Sequence, residues 1–259
     1  KAADRNREAW DLLGIGMTLR DLGNRDSALA YMAQALRLVT TTQDRHPEAA
    51  VHFEVGRLFL EFGLPDSALT VLQRARLLAR TGGFELTEGT ALAEIARAER
   101  DRGRFDSALA AAREALPILR RLNSPLEESR ALLATATIFL RRRSHGDLKS
   151  AIAYFDSAAT VRARIAGHVT GDENRLNLES SSGEIFEGWS DAWLARENEV
   201  GRGPAIDAAL AAAERGRAQA LLDLMQGGTA AASARPPRIP SVGGDLAAEG
   251  ARLIAAARG

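Results

Sequence analysis

A segment of eight residues occurs three times in the chain, and each copy lies 40 residues after the previous one. The copies read GNRDSALA at 23–30, GLPDSALT at 63–70 and GRFDSALA at 103–110, and a looser copy, HGDLKSAIAYFDSA, contains Gly146. A fixed period of this length is typical of stacked repeats, because one unit cannot bury its apolar face alone. The sequence therefore predicts a stack of similar units.

Each copy separates two runs of apolar and small residues that have the 3.6-residue period of a helix. The run before the glycine comprises Leu12, Ile15, Gly16, Leu19, His52, Val55, Gly56, Phe59, Leu92, Ile95 and Ala96, and the run after it comprises Ala28, Met32, Ala35, Leu36, Ala68, Leu72, Ala75, Ala108, Ala112, Ala115 and Leu116. Each unit is therefore predicted to be a helical hairpin. Glycine inside a helix is unfavourable by about 1 kcal/mol relative to alanine, so close packing of Gly16 against Ala28 is expected to compensate.

The glycine of each copy is predicted to form the turn of the hairpin. Glycine takes left-handed backbone angles without steric strain, which a tight reversal after a helix requires. The aspartate three residues later falls in the first turn of the second helix, where the helix dipole favours negative charge. These aspartates are Asp26, Asp66 and Asp106, and Pro65 suits the same turn because it needs no amide hydrogen bond there.

Composition limits both the fold class and the possible partners. Aromatic residues make up only 5% of the 259 residues and β-branched runs are scarce, which favours an all-α fold. Lys+Arg and Asp+Glu both total 34, so we expect neither nucleic acid nor a membrane as a partner. The absence of cysteine excludes disulfides, thiolate metal sites and cysteine nucleophiles from these residues. The longest apolar stretch, ALLATATIFL at 131–140, is shorter than the roughly 20 residues that cross a bilayer.

The repeat resembles the tetratricopeptide repeat (TPR) family. The residues of the first copy that match the family pattern are Leu12, Ile15, Gly16, Leu19, Gly23, Ala28, Met32 and Ala35. The 40-residue period implies longer helices than the commonest 34-residue form, and the proline that usually closes a unit is absent. The resemblance implies an all-α, right-handed superhelical solenoid of antiparallel helix pairs, with the first helices on its concave surface.

Two further helix pairs and a C-terminal extension are expected. RRRSHG at 141–146 adds two residues to the fourth unit and aligns Leu133 and Leu140 with Ala151, Phe155 and Ala158. A fifth pair is expected at about 172–198 and 204–225, with Trp189 and Trp193. We therefore divide the chain into a solenoid at 1–226, a Gly- and Pro-rich linker at 227–244, and the start of a further helix at 245–259 that leads to a C-terminal domain.

The last helix carries a narrower resemblance. ALAAAERGRAQALLDLM at 209–225 resembles the closing TPR helix before the protease-like domain of the CHAT family, the caspase-like domains associated with TPRs. The matching residues are Glu214, Arg215, Arg217, Ala218, Leu221, Leu222 and Asp223. The resemblance implies a longer protein that cuts peptide bonds with a cysteine and a histidine, neither of which belongs to this stretch.

Possible catalytic, metal and phosphate sites have plainer explanations. His46, Glu48 and His52 have a spacing that could bind a divalent metal, but His52 occupies a core position of the repeat, so we expect a structural histidine. The GIG at 14–16 lacks the strand and third glycine of a dinucleotide-binding turn. His145 and His168 are expected at the surface, with no serine or aspartate at a fixed spacing. We expect no catalytic residue, no metal and no cofactor.

The concave surface is the candidate binding site. The exposed positions of the first helices map to Trp10, Leu13, Met17, Arg20, Phe53, Arg57, Leu60, Arg97, Arg100, Asp101, Arg141 and Arg142. The predicted surface is thus apolar near the first helix and rich in arginine further along. It could hold an extended or helical peptide, with the arginines paired to carboxylates of that peptide. Alternatively, Asp21, Glu61 and Asp101 neutralise these arginines and the face is merely solvated. The clamp that some TPR proteins use for a terminal carboxylate is not matched, because Leu13, Phe53 and Ala93 replace its basic residue.

Three functions remain open at this stage. The first is a non-enzymatic protein-binding domain that acts as the sensing half of a bacterial CHAT-type protease, in contact with its own C-terminal domain. The second is a free-standing TPR scaffold, or the TPR arm of an ATP-dependent transcriptional regulator. The third is a hydrolase that uses the histidines. We expect a cytoplasmic location, although the chain begins KAADRNREAW without an initiator methionine, which leaves an upstream signal peptide open.

Overall fold

The computed structural model describes residues 2–42, 44–166 and 172–227. Within these ranges the regular structure consists of eleven α-helices, with no strand. The helices are α1 (Ala2–Asp21), α2 (Arg25–Thr40), α3 (Arg45–Glu61), α4 (Pro65–Gly82), α5 (Glu85–Asp101), α6 (Phe105–Arg121), α7 (Pro125–Arg142), α8 (Asp147–Ala166), α9 (Asp172–Ala195), α10 (Glu197–Val200) and α11 (Arg202–Gly227). The predicted all-α fold is confirmed.

The helices form consecutive packed pairs within two compact units, the first ending at Arg102 and the second beginning at Gly103. In the first unit α1 packs on α2, α3 on α4, and α5 on both α3 and α4. In the second unit α7 packs on α6 and α8, and α9 packs on α8 and α11. The first, second, fourth and fifth helical hairpins are therefore packed as predicted.

The turns between paired helices have the predicted geometry. Gly23, Gly63 and Gly103 have positive φ angles of 73°, 70° and 74°, and Gly146 follows in the fourth hairpin with 79°. Asp26, Asp66 and Asp106 lie in the first turns of α2, α4 and α6, and Pro65 opens α4. The repeated octapeptide is therefore a helix stop, a left-handed turn and a helix start.

Two of these aspartates also join one repeat to the next. Arg102 Nε lies 2.6 Å from Asp66 Oδ1 in the first unit, and Arg142 Nη1 lies 3.0 Å from Asp106 Oδ1 in the second. Each pair spans 36 residues, so an arginine at the carboxyl end of one first helix contacts the second helix of the repeat before it. Phe62 occupies the position in its repeat that Arg102 has in the next one. The guanidinium of Arg25 lies 4.6 Å from the ring centre of Phe62. The sequence explained these aspartates by the helix dipole alone and missed the contacts between repeats.

Small residues allow close helix contacts, as predicted. A Cβ atom at Gly16 would lie 3.1 Å from Met32 Cγ and 3.3 Å from the Ala28 carbonyl oxygen. A Cβ atom at Gly56 would lie 2.5 Å from Leu72 Cγ, and Leu72 is fully buried. These two glycines therefore provide space for side chains of the paired helix.

The predicted burial of three residues on α1 and α3 was wrong. Ile15, predicted to be a core residue, is 42% exposed, whereas Leu13, predicted to lie on the exposed concave surface, is 1% exposed. Leu60, predicted to be exposed like Leu13, is also buried. The helical period identified the apolar residues, but it could not determine which side of a helix faces the next repeat, because that contact is made by distant residues.

The fourth and fifth hairpins bury aromatic side chains against glycine. Phe155 is fully buried, and a Cβ atom at Gly188 would lie 2.5 Å from its Cζ. A Cβ atom at Gly216 would lie 2.8 Å from Phe186 Cβ. Ala151 and Ala158 are fully buried beside Phe155, as the alignment of the fourth unit predicts.

The predicted C-terminal features lie outside the described residues. Gly227 is the last residue of α11, and the rest of the predicted linker and the helix at 245–259 fall beyond it. The division of the chain into solenoid, linker and further helix therefore stays a prediction. In the part of the chain that the structure describes, no helix combines the length and hydropathy of a membrane-spanning segment.

Candidate functional site

In the first unit, one face of the neighbouring helices α1, α3 and α5 carries the candidate site. α3 packs against both α1 and α5, so residues 40 apart occupy matching places on adjacent helices. Residues at i, i+4, i+7 and i+11 follow one side of each helix. We call this face the first-helix wall, and its residues are Trp10, Gly14, Met17, Asp21, Ala50, Glu54, Arg57, Glu61, Thr90, Glu94, Arg97 and Asp101.

Acidic and basic side chains alternate along the wall. Arg57 Nη1 lies 3.2 Å from Glu54 Oε2, and Arg57 Nη2 lies 3.9 Å from Glu61 Oε1. On α5, Arg97 Nη1 lies 3.6 Å from Glu94 Oε2. The arginines predicted to bind a ligand therefore already have carboxylate partners, which favours the alternative that neighbouring acids neutralise them.

The arginines at the carboxyl ends of α1 and α5 are engaged in the same way. Arg20 Nη2 lies 2.9 Å from Asp21 Oδ1, and Arg20 Nε lies 3.3 Å from Glu61 Oε2, which joins α1 to α3. Arg100 Nη2 lies 2.8 Å from Asp101 Oδ1. Both arginine side chains are largely buried, so they stabilise the wall as well as contributing charge to it.

The sequence analysis overlooked Glu54 and Glu94. Burial raises the pKa of Glu54 above its ordinary value, and the nearby charges of Glu94 and Glu61 raise it further, while Arg57 and Arg20 act in the opposite direction. The signal was available, because the two glutamates are 40 residues apart and each precedes an arginine by three. Their position inside the wall could not be read from spacing alone.

The apolar part of the wall lies on α1. Trp10 is 42% exposed, and Met17 is half-buried against the hydrophobic core. Phe53 on α3 is half-buried, with the Arg57 guanidinium 6.0 Å from its ring centre. With Leu13 and Leu60 removed from the exposed set, Trp10, Met17 and Phe53 are what remains of the predicted apolar start.

Arg141 belongs to the second unit, so we describe it separately. It is exposed in the last turn of α7. Its neighbour Arg142, predicted with it on the concave surface, instead donates hydrogen bonds from Nε and Nη2 to the two carboxylate oxygens of Asp147, each at 2.8 Å. Arg142 is therefore a structural residue.

The histidines have structural surroundings. His52 Nδ1 lies 2.8 Å from the Glu48 carbonyl oxygen, and burial lowers the pKa of His52. The carboxylate of Glu48 accepts a hydrogen bond from Arg74 Nη2 at 2.9 Å, and the His46 and Phe84 rings form a T-shaped pair with their centres 4.8 Å apart. Among the described residues no group of three His, Asp or Glu side chains could hold a metal. His145 is exposed, and His168 lies outside the described residues.

Comparison with known proteins explains the repeat. Family models described as tetratricopeptide repeat match residues 7–81 and 89–125. These residues are tetratricopeptide repeats. The matched ranges include every wall residue that the sequence analysis predicted on α1, α3 and α5. They end before 209–225, so the CHAT resemblance of that segment stays a prediction. No curated protein sequence matches the chain.

Solved structures show the same TPR solenoid fold. BtubC (BKLC) from P. vanneervenii aligns with a TM-score of 0.60 and 14% identity, over 93% of this chain and 96% of that one. A putative kinesin light chain from Podosopora anserina with nearly identical TPR-like repeats aligns with a TM-score of 0.53 and 16% identity, over 88% of this chain and 99% of that one. The Q17M form of that protein aligns with a TM-score of 0.54 and 16% identity, over 86% of this chain and 98% of that one. At these identities the likeness concerns the fold alone.

Proposed function

We propose that this TPR chain is a non-catalytic domain whose first-helix wall binds a segment of another protein. TPR repeats in general mediate protein–protein interaction, and the wall combines an exposed aromatic side chain with half-buried ion pairs. Fixed charges beside an exposed apolar group favour a specific segment over general adhesion, because a wrong charge placed against them is repelled.

The observation that carries this proposal is the environment of Arg97. Its side chain is 37% exposed and its ion pair with Glu94 is 3.6 Å long, whereas Arg20, Arg57 and Arg100 each have a carboxylate oxygen within 3.2 Å. A partner carboxylate can therefore reach this guanidinium without first breaking a tight pair. We propose an acidic residue of the partner at Arg97, with Arg20, Arg57 and Arg100 holding the surrounding charges in place. Arg141 is proposed as a further contact in the second unit.

The first prediction concerns partner affinity. Replacing Arg57, Arg97 and Arg100 together by alanine should weaken binding at least ten-fold, and Arg97→Ala alone about ten-fold, because a hydrogen bond to a charged group contributes about 1.5–3 kcal/mol. The probe is a peptide selected from a displayed library of random dodecapeptides, with its dissociation constant measured by fluorescence anisotropy. The Arg97→Ala variant is needed because the triple variant also removes Arg57, the ion-pair partner of Glu54, and so changes the charge of the wall itself.

Arg80→Ala is the matched control. Arg80 is exposed in the last turn of α4, a helix that carries no wall residue, so its loss should leave the dissociation constant unchanged. Thermal unfolding followed by circular dichroism checks that each variant folds. An unchanged dissociation constant for Arg97→Ala and for the triple variant would contradict binding at the wall.

We further propose that the chain is the sensing half of a cytoplasmic, bacterial CHAT-type protease, and that a segment on the wall alters its contact with a C-terminal protease-like domain. The support is the sequence of 209–225, which forms part of the single helix α11. In that segment the Arg215 guanidinium lies 4.7 Å from the ring centre of Trp189 and 3.4 Å from the Asp156 carboxylate, so α11 contacts both α9 and α8.

The complete reading frame tests this second proposal. A histidine and a cysteine in a downstream domain, with peptide cleavage that depends on a wall-binding segment, would support it. An upstream Walker motif would favour the ATP-dependent regulator instead, and a frame without either domain would favour a free-standing scaffold.

A further inference from the structure

We propose that the chain associates head to tail, with α11 of one copy packed on α1 of the next. The contact joins two different surfaces, so it produces open chains or rings of copies rather than a symmetric dimer. It uses another side of α1 than the first-helix wall does. The proposal therefore goes beyond the binding of a peptide at the wall and does not depend on it.

The outer face of α1 is a side of the helix that later repeats bury. Its residues recur at intervals of four and three, and all of them are exposed. They are Asp4, Glu8, Asp11, Ile15, Thr18 and Leu22. The residues 40 and 80 positions after Asp11, Ile15 and Thr18 are buried, and they are Val51, Val55, Leu58, Ala91, Ile95 and Ala98. The exposure of this face on α1 is therefore an exception within the repeat.

The structure shows which kind of helix covers this face. The second helix of one hairpin packs on the first helix of the next, as α2 does on α3, α4 on α5, and α6 on α7. Val55, the counterpart of Ile15, is buried in one cluster with Leu29 and Met32 of α2. Within the described residues α1 has no such helix before it. A repeat that faces only water carries a polar outer face, whereas Ile15 and Leu22 are apolar.

α11 is a second helix with a matching exposed side. Leu29 in α2 and Leu109 in α6 each follow a fully buried alanine, and both leucines are buried. Ile206 follows the buried Ala205 in the same way, yet it is 39% exposed, and Leu210 four residues later is exposed as well. The side of α11 that corresponds to the contact with a following first helix is therefore apolar and exposed.

Charge and spacing favour a second copy of this chain as the occupant. Successive helices joined by short turns run antiparallel, so a second helix places its carboxyl half against the amino half of the next first helix. Seven residues separate Leu210 from the exposed Arg217, and seven separate Ile15 from Glu8. Placing Leu210 against Ile15 therefore brings Arg217 to Glu8, at the acidic end of the outer face. The same register puts Ile206 beside the apolar end at Leu22.

Sedimentation velocity of the 259-residue chain over a range of concentrations tests the association. Oligomers should grow with concentration and dissociate in high salt, which screens the ion pair. Ile15→Glu and Leu210→Glu should each raise the dissociation constant at least ten-fold, because each places a charge in the apolar centre of the contact. Leu77→Glu is the matched control. Leu77 is an exposed leucine of α4, outside both surfaces, so its replacement should leave association unchanged.

A mixture of the two variants distinguishes head-to-tail contact from other modes of association. The Ile15→Glu chain keeps its α11 surface, and the Leu210→Glu chain keeps its α1 surface. Together they should form dimers and no larger oligomer. Glu8→Arg and Arg217→Glu should likewise weaken association singly and restore it when both are present in one chain.

Three results would overturn the proposal. The first is a chain that stays monomeric at concentrations up to about 1 mM. The second is a mixture of the Ile15→Glu and Leu210→Glu chains that forms no dimer, since the contact would then not join α1 to α11. The third is a lower melting temperature in either variant, which would show that a segment of the same chain covers the surface. Peptide binding at the wall should be unchanged in every variant, so these results leave the proposed function intact.

Discussion

Replacing Arg142 with methionine should lower the free energy of unfolding of the second unit by about 3 kcal/mol. The side chain of Asp147 is only 4% exposed, and Arg142, itself 26% exposed, makes a two-pronged pair with it. Removing Arg142 leaves the Asp147 carboxylate without its charged partner, and the loss of a hydrogen bond to a charged group costs about 1.5–3 kcal/mol. Methionine keeps the apolar stem of the side chain. Urea denaturation followed by the fluorescence of Trp189 and Trp193 reports on this unit.

The same pair makes stability depend on acid pH. Hydrogen bonds from Arg142, aided by the Ser144 amide, hold the pKa of Asp147 below its ordinary value. A lowered carboxyl pKa stabilises the fold above the unfolded value of about 4 and loses this contribution as the pH falls through the folded value. The free energy of unfolding should therefore fall on acidification, and it should fall less in Asp147→Asn.

Asp156→Asn is the matched control for this pair. Asp156 and Arg215 form an exposed ion pair at 3.4 Å, so its loss should change the free energy of unfolding by less than about 1 kcal/mol. Equal effects of Arg142→Met and Asp156→Asn would show that the Arg142–Asp147 pair contributes no more than a surface contact.

Gly56→Ala and Gly14→Ala should have opposite effects on the stability of the first unit. The added methyl at Gly56 would lie 2.5 Å from Leu72 Cγ, and Leu72 is fully buried. Overpacking of this kind destabilises by about 1–3 kcal/mol. At Gly14 the methyl meets nothing, so the gain in helix propensity should stabilise the unit by about 0.5–1 kcal/mol.

Urea denaturation followed by Trp10 fluorescence compares the two variants. Gly16→Ala should fall between them, because its methyl would lie 3.1 Å from Met32, whose flexible side chain can partly give way. If Gly56→Ala were as stable as the unaltered protein, the close contact between α3 and α4 would be wrong.

The local features of the fold could be predicted because each depends on neighbouring residues. The left-handed turn at Gly63 follows from the properties of glycine, and the start of α4 at Pro65 follows from a missing amide hydrogen. The close approach at Gly16 follows from a small residue recurring at one place in the repeat. Repetition reinforced these inferences, since a pattern seen three times is hard to attribute to chance.

Contacts between repeats could not be predicted in the same way. The exposure of Ile15 and the burial of Leu13 depend on which helix packs beside α1. The pairing of Arg102 with Asp66 depends on the stacking of one hairpin on the next. The helical period shows which residues share one side of a helix. It does not show whether that side packs on the paired helix or on the neighbouring repeat, and only the packed structure decides this.

The sequence by itself therefore determined the helical hairpins of this chain, their turns and their order, because propensity, turn chemistry and period act over a few residues. Tertiary structure determined which side chains of the first-helix wall are exposed and which of its charges are paired. It set Arg57 between Glu54 and Glu61 and left Trp10 exposed beside an open Gly14. Burial and charge pairing depend on residues brought together from different repeats, and the spacing of residues along one helix does not contain that information.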